Sequence, residues 1–276
     1  MKMPQMSLLE WQNKFGSEDA CIDALIKTRW PDGFVCPECS SREYSFITSR
    51  NSYQCSHCHH QTSVTSGTIF HSTNLPLAKW FWAIYLAAAD KGGISALRLS
   101  KHIDVSWITA HRMLRKIRMV MAHRDSIYRL QNLIECDDAL VGGKKAGKRG
   151  RGAAGKKPIL VAVERREQHA GFLAAEAVDE ITKLSVRDFL NRHIKPGQEI
   201  RTDAFPALNA IAESHTHDKR VTPPEDAAHW LPLVHIVIGN LKTFLNGTFH
   251  GVSGQYLQEY VSEFWSYARK WCLRGL

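Results

Sequence analysis

Two groups of residues in this 276-residue chain have the types and spacing that chemistry requires. The first is Cys36-Pro-Glu-Cys39 with Cys55-Ser-His-Cys58, two C-x2-C knuckles separated by fifteen residues. Each knuckle offers two thiolates to one ion, and two knuckles close a tetrahedral zinc site. Four thiolates fill the coordination shell, so the expected zinc is structural and His57, His59 and His60 are left to the surface or to a nucleic acid. A module this small buries little apolar area, and metal binding would supply much of its folding energy. The second group is acidic. Asp137-Asp138 lies within the aliphatic run LIECDDALV, where a carboxylate is costly unless it meets a cation or an edge. Asp203 closes a second short run, EIRTD. If these two segments become neighbouring strands, their carboxylates could hold hard divalent ions, which prefer oxygen ligands. Two such ions can activate a water or a 3′-hydroxyl and stabilise a leaving oxygen.

The elements that must position these groups are readable in outline. Residues 7–29 carry a helical pattern that Trp30-Pro31-Asp32-Gly33 ends. Leu77, Trp80, Phe81, Ile84, Tyr85 and Ala88 mark a helix that stops at Gly92-Gly93. ISALRLSKHI is a short helix, and Asp104-Val105-Ser106 turns into a long basic helix with Ser106 as its N-cap. The pair reads as a helix-turn-helix. Arg112, Arg115 and Lys116, with Thr109, His111 and Arg118, form its DNA-facing side, while Trp107, Ile108, Met113, Leu114 and Ile117 read as core. LIECDDALV is a strand, and PILVAVER and GFLAAEAV form a hairpin. A helix at 181–193, the strand QEIRTD and a helix at AFPALNAIAE follow. Strands followed by alternating helices and strands indicate a mixed α/β domain. Between them lies KKAGKRGRGAAGKK, seven basic residues among glycines. It reads as a loop in which Lys144, Lys145, Lys148, Arg149 and Arg151 lie along DNA. Glu259 and Glu263, four apart on a final amphipathic helix, read as a solvated face.

The net charge of +9 favours a polyanionic partner such as nucleic acid. No run of about 18 apolar residues offers a membrane span, and the first fifteen residues lack a signal-peptide core. A cytoplasmic location is expected, where clustered cysteines stay reduced and serve as metal ligands.

Four stretches together resemble the zinc-ribbon transposases of bacterial insertion sequences. They are CPECSS…YQCSHCHHQTSVTSGTIFHSTNLPLAKWFWAIYL, IECDDALVGGK, IRTDAFPALNAI and LPLVHIVIGNLKTFLNGTFHGVSGQYLQEYVSEF, in the family's order over residues 10–265. The resemblance implies a ribonuclease H-like mixed α/β domain with a DDE-type catalytic triad. Its first carboxylate maps to Asp137, with Asp138 where the family usually has glutamate, and its second maps to Asp203. The family's third residue, a helical glutamate seven positions before a lysine, is absent. Lys242 fits the lysine, His235 stands seven positions earlier, and Asn240 matches the asparagine that some members carry. An amide oxygen suits magnesium better than imidazole does; both are kept, with Asn240 preferred because the block VHIVIGNLK resembles the branch of the family that carries asparagine. The tail EFWSYARKWCLRGL departs from the family's Arg-Asn-Arg-Arg-like run, as a truncated or frame-altered end would.

Three segments are expected: an N-terminal helix and zinc ribbon at 1–70, a helical DNA-binding segment at 71–130, and the ribonuclease H-like domain at 131–276. The implied reaction is cleavage at the element's terminal inverted repeats and joining of the 3′-hydroxyls to target DNA. It would use Mg2+, or Mn2+, at Asp137 and Asp203, with double-stranded DNA as partner and a homodimer or larger oligomer as the working form. The alternative is a DNA-binding regulator with a degenerate, inactive core.

Overall fold

The structure, a computed structural model, describes residues 6–142, 156–167, 169–221, 223 and 226–272. They form two compact units, one of residues up to 89 with 96–114, the other of 90–95 with 115 onward. No helix among the described residues is long and apolar enough to cross a membrane.

In the first unit the expected N-terminal helix is two helices, α1 (Leu8–Phe15) and α2 (Glu18–Arg29). The break is local: Gly16 ends α1, and the Ser17 hydroxyl caps α2 by accepting from the Ala20 N–H. Strands β1 (Tyr44–Ile47), β2 (Ser52–Cys55) and β3 (Gln61–Ser63) make an antiparallel sheet in that order. The register sets Phe46 opposite Tyr53. Tyr53 is buried and stacks on Phe34 at 4.5 Å, so aromatic packing supplements the metal site in this small module. Helix α3 (Leu77–Ala89) begins without a capping side chain of its own. Glu18 of α2 supplies one, its two oxygens accepting from the N–H groups of Leu77 and Ala78 at 2.7 and 2.9 Å. Helix α4 (Ala96–Ile103) and the start of α5 (Trp107–Ser126) complete the unit. The Ser106 hydroxyl caps α5 through the Thr109 N–H.

The second unit is built on strands β4 (Leu133–Val141), β5 (Lys157–Arg166), β6 (His169–Ala177), β7 (Glu199–Asp203) and β8 (Thr216–Arg220), in spatial order β6-β5-β4-β7-β8. The first three form an antiparallel meander, and β7 and β8 add in parallel on the other side of β4. The sheet is therefore mixed, as the α/β expectation requires. Ile159 to Val163 of β5 are all completely buried, as expected of an interior strand covered on both faces. Helix α6 (Lys183–His193) leads from β6 to β7. The segment AFPALNAIAE, expected as an α-helix, is a 3-10 helix over Pro206–Glu213. It is followed by β8, whose polar sequence THDKR carries no strand signal. Helices α7 (Ala227–Trp230), α8 (Pro232–Thr248) and α9 (Leu257–Cys272) close the unit.

Helix α9 corrects the reading of Glu259 and Glu263. Both face α5. Arg115 Nε lies 2.9 and 3.1 Å from the two oxygens of Glu259. Arg118, 2% exposed, reaches Glu263, 1% exposed, at 2.6 Å, and its guanidinium lies 3.9 Å from the Tyr260 ring centroid. The Tyr267 hydroxyl donates to the other oxygen of Glu263. Burial, reinforced by the neighbouring Glu263 charge, pushes the Tyr267 phenol up and keeps it a donor. Arg118→Ala leaves a buried carboxylate without its counter-charge and should cost about 3–5 kcal/mol. The double variant Arg118→Met/Glu263→Leu should be much nearer wild type. Urea melts of the three proteins check this, and a double variant as unstable as the single would refute it.

Candidate active site

Asp137 sits in the middle of the central strand. Parallel pairing of β4 with β7 sets Leu133, Ile134 and Glu135 opposite Glu199, Ile200 and Arg201. Two residues further along the same register, Asp137 comes level with Asp203. In-register residues of parallel strands leave the sheet on the same face, with strands about 4.8 Å apart. The Asp203 charge is felt at Asp137, whose carboxyl is raised to about 6. Burial is the main cause, and the charges of Asp138 and Asp203 add to it. The Asp138 N–H, which donates to Asp137 Oδ1 at 2.8 Å, and His235 oppose it. Asp203 Oδ1 accepts from the Phe205 N–H at 3.1 Å. Oxygen donors on adjacent strands, one of them buried within reach of the other's charge, could hold a hard divalent cation.

Helix α8 lies over this face, held there by a residue the sequence reading did not single out. Its N-cap position is Leu231, which has no side chain to offer, and Pro232 follows. The first N–H groups of a helix need acceptors. Glu135, fully buried and two residues before Asp137 on the same face of β4, provides one. Its Oε2 accepts from Leu233 N and Val234 N at 2.8 and 3.1 Å, while Arg165 approaches Oε1 at 3.5 Å. The next residue on the helix is His235, whose Nε2 is 3.2 Å from Asp137 Oδ2. The sequence signal for Glu135 was its i, i+2 relation to Asp137.

The preference for Asn240 does not follow from this geometry. Asn240 is exposed, five residues beyond His235 and so about 140° around the helix. His235, rather than Asn240, meets Asp137. Lys242, also exposed, is two turns beyond His235 on the same helical face, about 10 Å along the axis.

The four cysteines converge as expected. The sulfurs of Cys36, Cys39, Cys55 and Cys58 all lie within 4.8 Å of one another, with Cys36–Cys58 and Cys39–Cys55 at 3.5 Å. Tetrahedral zinc with Zn–S bonds of about 2.3 Å needs sulfurs about 3.8 Å apart, so the residues fit the ion. The two knuckles share one hydrogen-bond pattern. Ser40 N donates to Cys36 O and Cys36 N to Ser41 O; His59 N donates to Cys55 O and Cys55 N to His60 O. Ser40 and His59 both have φ of 60°. The Cys58 N–H leads the contacts that lower Cys55 to about 6, while hydrogen bonding within the sulfur cluster, from Cys39 foremost, raises Cys58. None of the three nearby histidines belongs to the sulfur cluster.

The basic candidates divide. Arg112 is exposed on α5, and Lys116 is half-buried. Arg115 is committed to Glu259 and Arg118 is buried against Glu263, so half of the basic side of α5 is turned inward. Trp107 and Ile108, expected in the core, are 52% and 58% exposed, with Trp107 stacked on His111. Lys144, Lys145, Lys148, Arg149 and Arg151 lie outside the described residues.

Residues 129–266, half of the chain, match the family model described as the ISXO2-like transposase domain, and residues 16–61 match the transposase zinc-ribbon domain. The chain belongs to the ISXO2-like transposases. The first match holds β4, β7 and α8, and the second holds all four cysteines, so in this ISXO2-like transposase the acidic residues and the sulfur cluster each fall within one family domain. A Halobacterium salinarum protein described as an uncharacterized protein in transposable element ISH50 is 25% identical over 241 residues, covering 80% of this chain and 79% of the relative. The crystal structure of a pre-cleavage Mos1 transpososome is 10% identical, with a TM-score of 0.25, covering 64% of this chain and 74% of that one. A likeness of that size bears no weight here.

Two outcomes are expected. Cys36→Ser should lose bound zinc and the folding of the ribbon, checked by metal analysis and by near-ultraviolet circular dichroism; undiminished zinc would contradict the site. Glu135→Ala should destabilise by about 2–4 kcal/mol, since two charge-assisted hydrogen bonds go and two helix N–H groups are left buried. A thermal melt matching wild type would show that α8 is held by something else.

Proposed function

We propose that this transposase binds the terminal inverted repeats of its element, cleaves the phosphodiester bonds at the element ends and joins the freed 3′-hydroxyls to target DNA. What supports the reading is the register of β4 and β7, which continued by two residues brings Asp137 level with Asp203, together with the contact of His235 on Asp137. In this reading Asp137 and Asp203 hold divalent ions. Bound magnesium or manganese supplies Lewis acidity to the attacking and leaving oxygens. His235 takes the third position, touching Asp137 and able to orient it or accept a proton from the attacking group. Lys242 meets a DNA phosphate as a point charge. Arg112 and the exposed start of α5 take the repeat, with the zinc ribbon as a second contact and Lys144, Lys145, Lys148, Arg149 and Arg151 adding phosphate contacts. Pairing two element ends requires at least two copies of the chain.

Assays with magnesium or manganese on a duplex from the element boundary test this. Asp137→Asn should abolish cutting while leaving DNA affinity equal or higher, because a negative group near the phosphate is removed. Cutting at the wild-type rate by Asp137→Asn would remove the basis of the assignment. His235→Ala should slow cleavage by about 100-fold or more, whereas Asn240→Ala should stay within about 3-fold of wild type, as surface substitutions do. The reverse ranking would return the third role to Asn240. Retarded mobility with neither cleavage nor joining by wild type would mark the chain as a regulator with an inactive core.

A further inference from the structure

Trp107 and Ile108 are large apolar residues left in solvent at the start of a helix whose other side is packed. Residues 104–106 separate α4 from α5. Asp104 turns the chain with a φ of 50°, and the Val105 N–H reaches back to the Ser100 carbonyl at 3.1 Å. Lys79 of α3 donates to the Asp104 carbonyl at 2.6 Å and ties the turn down. Leu99 of α4 and Ala110, Met113 and Leu114 of α5 are at most 1% exposed, so one side of each helix is taken up by the core. At about 100° per residue, Trp107, Ile108, His111 and Arg112 cover the opposite side of α5. His111 lies against one face of the Trp107 ring, with centroids 5.1 Å apart and planes 16° from parallel. Ile108 is 58% exposed, and Arg112, one turn further along, is exposed as well. A helix entered through a three-residue turn, with its first turns facing outward, has the form of a helix-turn-helix reading element.

We propose that Ile108 packs on the C5 methyl group of a thymine in the major groove of the terminal repeat, with Arg112 forked onto a guanine within about two base pairs of it. The proposal rests on the reading that the start of α5 takes the repeat. A phosphate offers an isoleucine nothing, whereas the thymine methyl is an apolar feature of the major groove that it can cover. Charge favours DNA over another apolar surface. Arg112 shares the Ile108 side of α5, Lys101 is exposed near the end of α4, and the first turn of α5 lies at the positive end of the helix dipole. The spacing also fits. Residues four apart on a helix are separated by about 6 Å along its axis, and successive bases by about 3.4 Å. Ile108 therefore distinguishes thymine from cytosine, and Arg112 distinguishes guanine from adenine.

The test uses the full chain and the element-boundary duplex, with equilibrium binding measured at one salt concentration. Replacing thymines by uracil one at a time removes single methyl groups and leaves the base pairing unchanged. Wild type should lose about 3- to 5-fold in affinity at one or two positions, as expected for one buried methyl. Ile108→Ala should bind the natural duplex more weakly by that factor and no longer distinguish thymine from uracil there. Arg112→Ala should weaken binding about 5- to 100-fold and relax the preference for guanine beside the sensitive thymine. Ile108 is on the surface, so Ile108→Ala should melt like wild type. If Ile108→Ala keeps the wild-type uracil pattern, or wild type is indifferent to every methyl, the proposal is overturned. It is overturned too if Ile108→Ala keeps that pattern and instead changes the mass of the free protein in light scattering, because the face would then join copies of the chain. Failure of the underlying reading looks different: Arg112→Ala and Ile108→Ala would both bind every duplex as wild type does. If Arg112→Ala loses affinity while Ile108→Ala keeps the methyl pattern, that reading stands and the role of Ile108 alone falls.

Discussion

A carboxylate buried in the central strand holds the open end of a helix, and the geometry of the acidic site depends on it. Glu135 accepts from the first free N–H groups of α8, an arrangement favoured both by the unmet donors and by the positive end of the helix dipole. Because Glu135 and Asp137 share a face of β4, the bond that fixes the helix also fixes which helical residue meets Asp137. The residue after Val234 is His235, and it is the one that arrives. Buried charges are costly unless met by donors, so the strand and the helix each satisfy what the other leaves open. The first unit repeats the device, with Glu18 of α2 capping α3. Neither α3 nor α8 brings its own cap.

What could be read from residue order alone follows from how local each signal is. The cysteine knuckles were legible because both ligands of a knuckle lie within four residues, and the turn between them is set by nearby backbone bonds. Strands β4, β5 and β6 were legible because burial forces apolar runs, whereas in β7 only Ile200 is aliphatic. Strand β8 was not, since an edge strand facing solvent can be entirely polar, as THDKR is. The pairing of Asp137 with Asp203 needed the family likeness, because strand composition does not state register.

The third position shows the opposite limit. The likeness of VHIVIGNLK to one branch of the family favoured Asn240, but a helix presents a given face only where something outside it has fixed its rotation. Glu135 does that, and a partner 98 residues away leaves no periodic mark in the sequence of the helix. Arg118 and Glu263 were hidden for the same reason. On its own helix Glu263 reads as a solvated charge and Arg118 as a DNA-facing one, and only the packing of α5 on α9 makes them a buried pair. Trp107 and Ile108 erred the other way. Apolar residues at a helix start suggested core, yet they remain in solvent beside Arg112.

The polar character of β8 has a bearing on how the protein stays in solution. A sheet edge offers unpaired backbone groups on which another strand can add, and closely set charges discourage that. In β8 the last three residues, Asp218, Lys219 and Arg220, are all charged. The edge that borders the carboxylate row is therefore also the one guarded against unwanted strand addition. Replacing its charges with apolar residues to tighten a protein contact there would invite self-association of the folded chain, whatever it did for the chemistry next door.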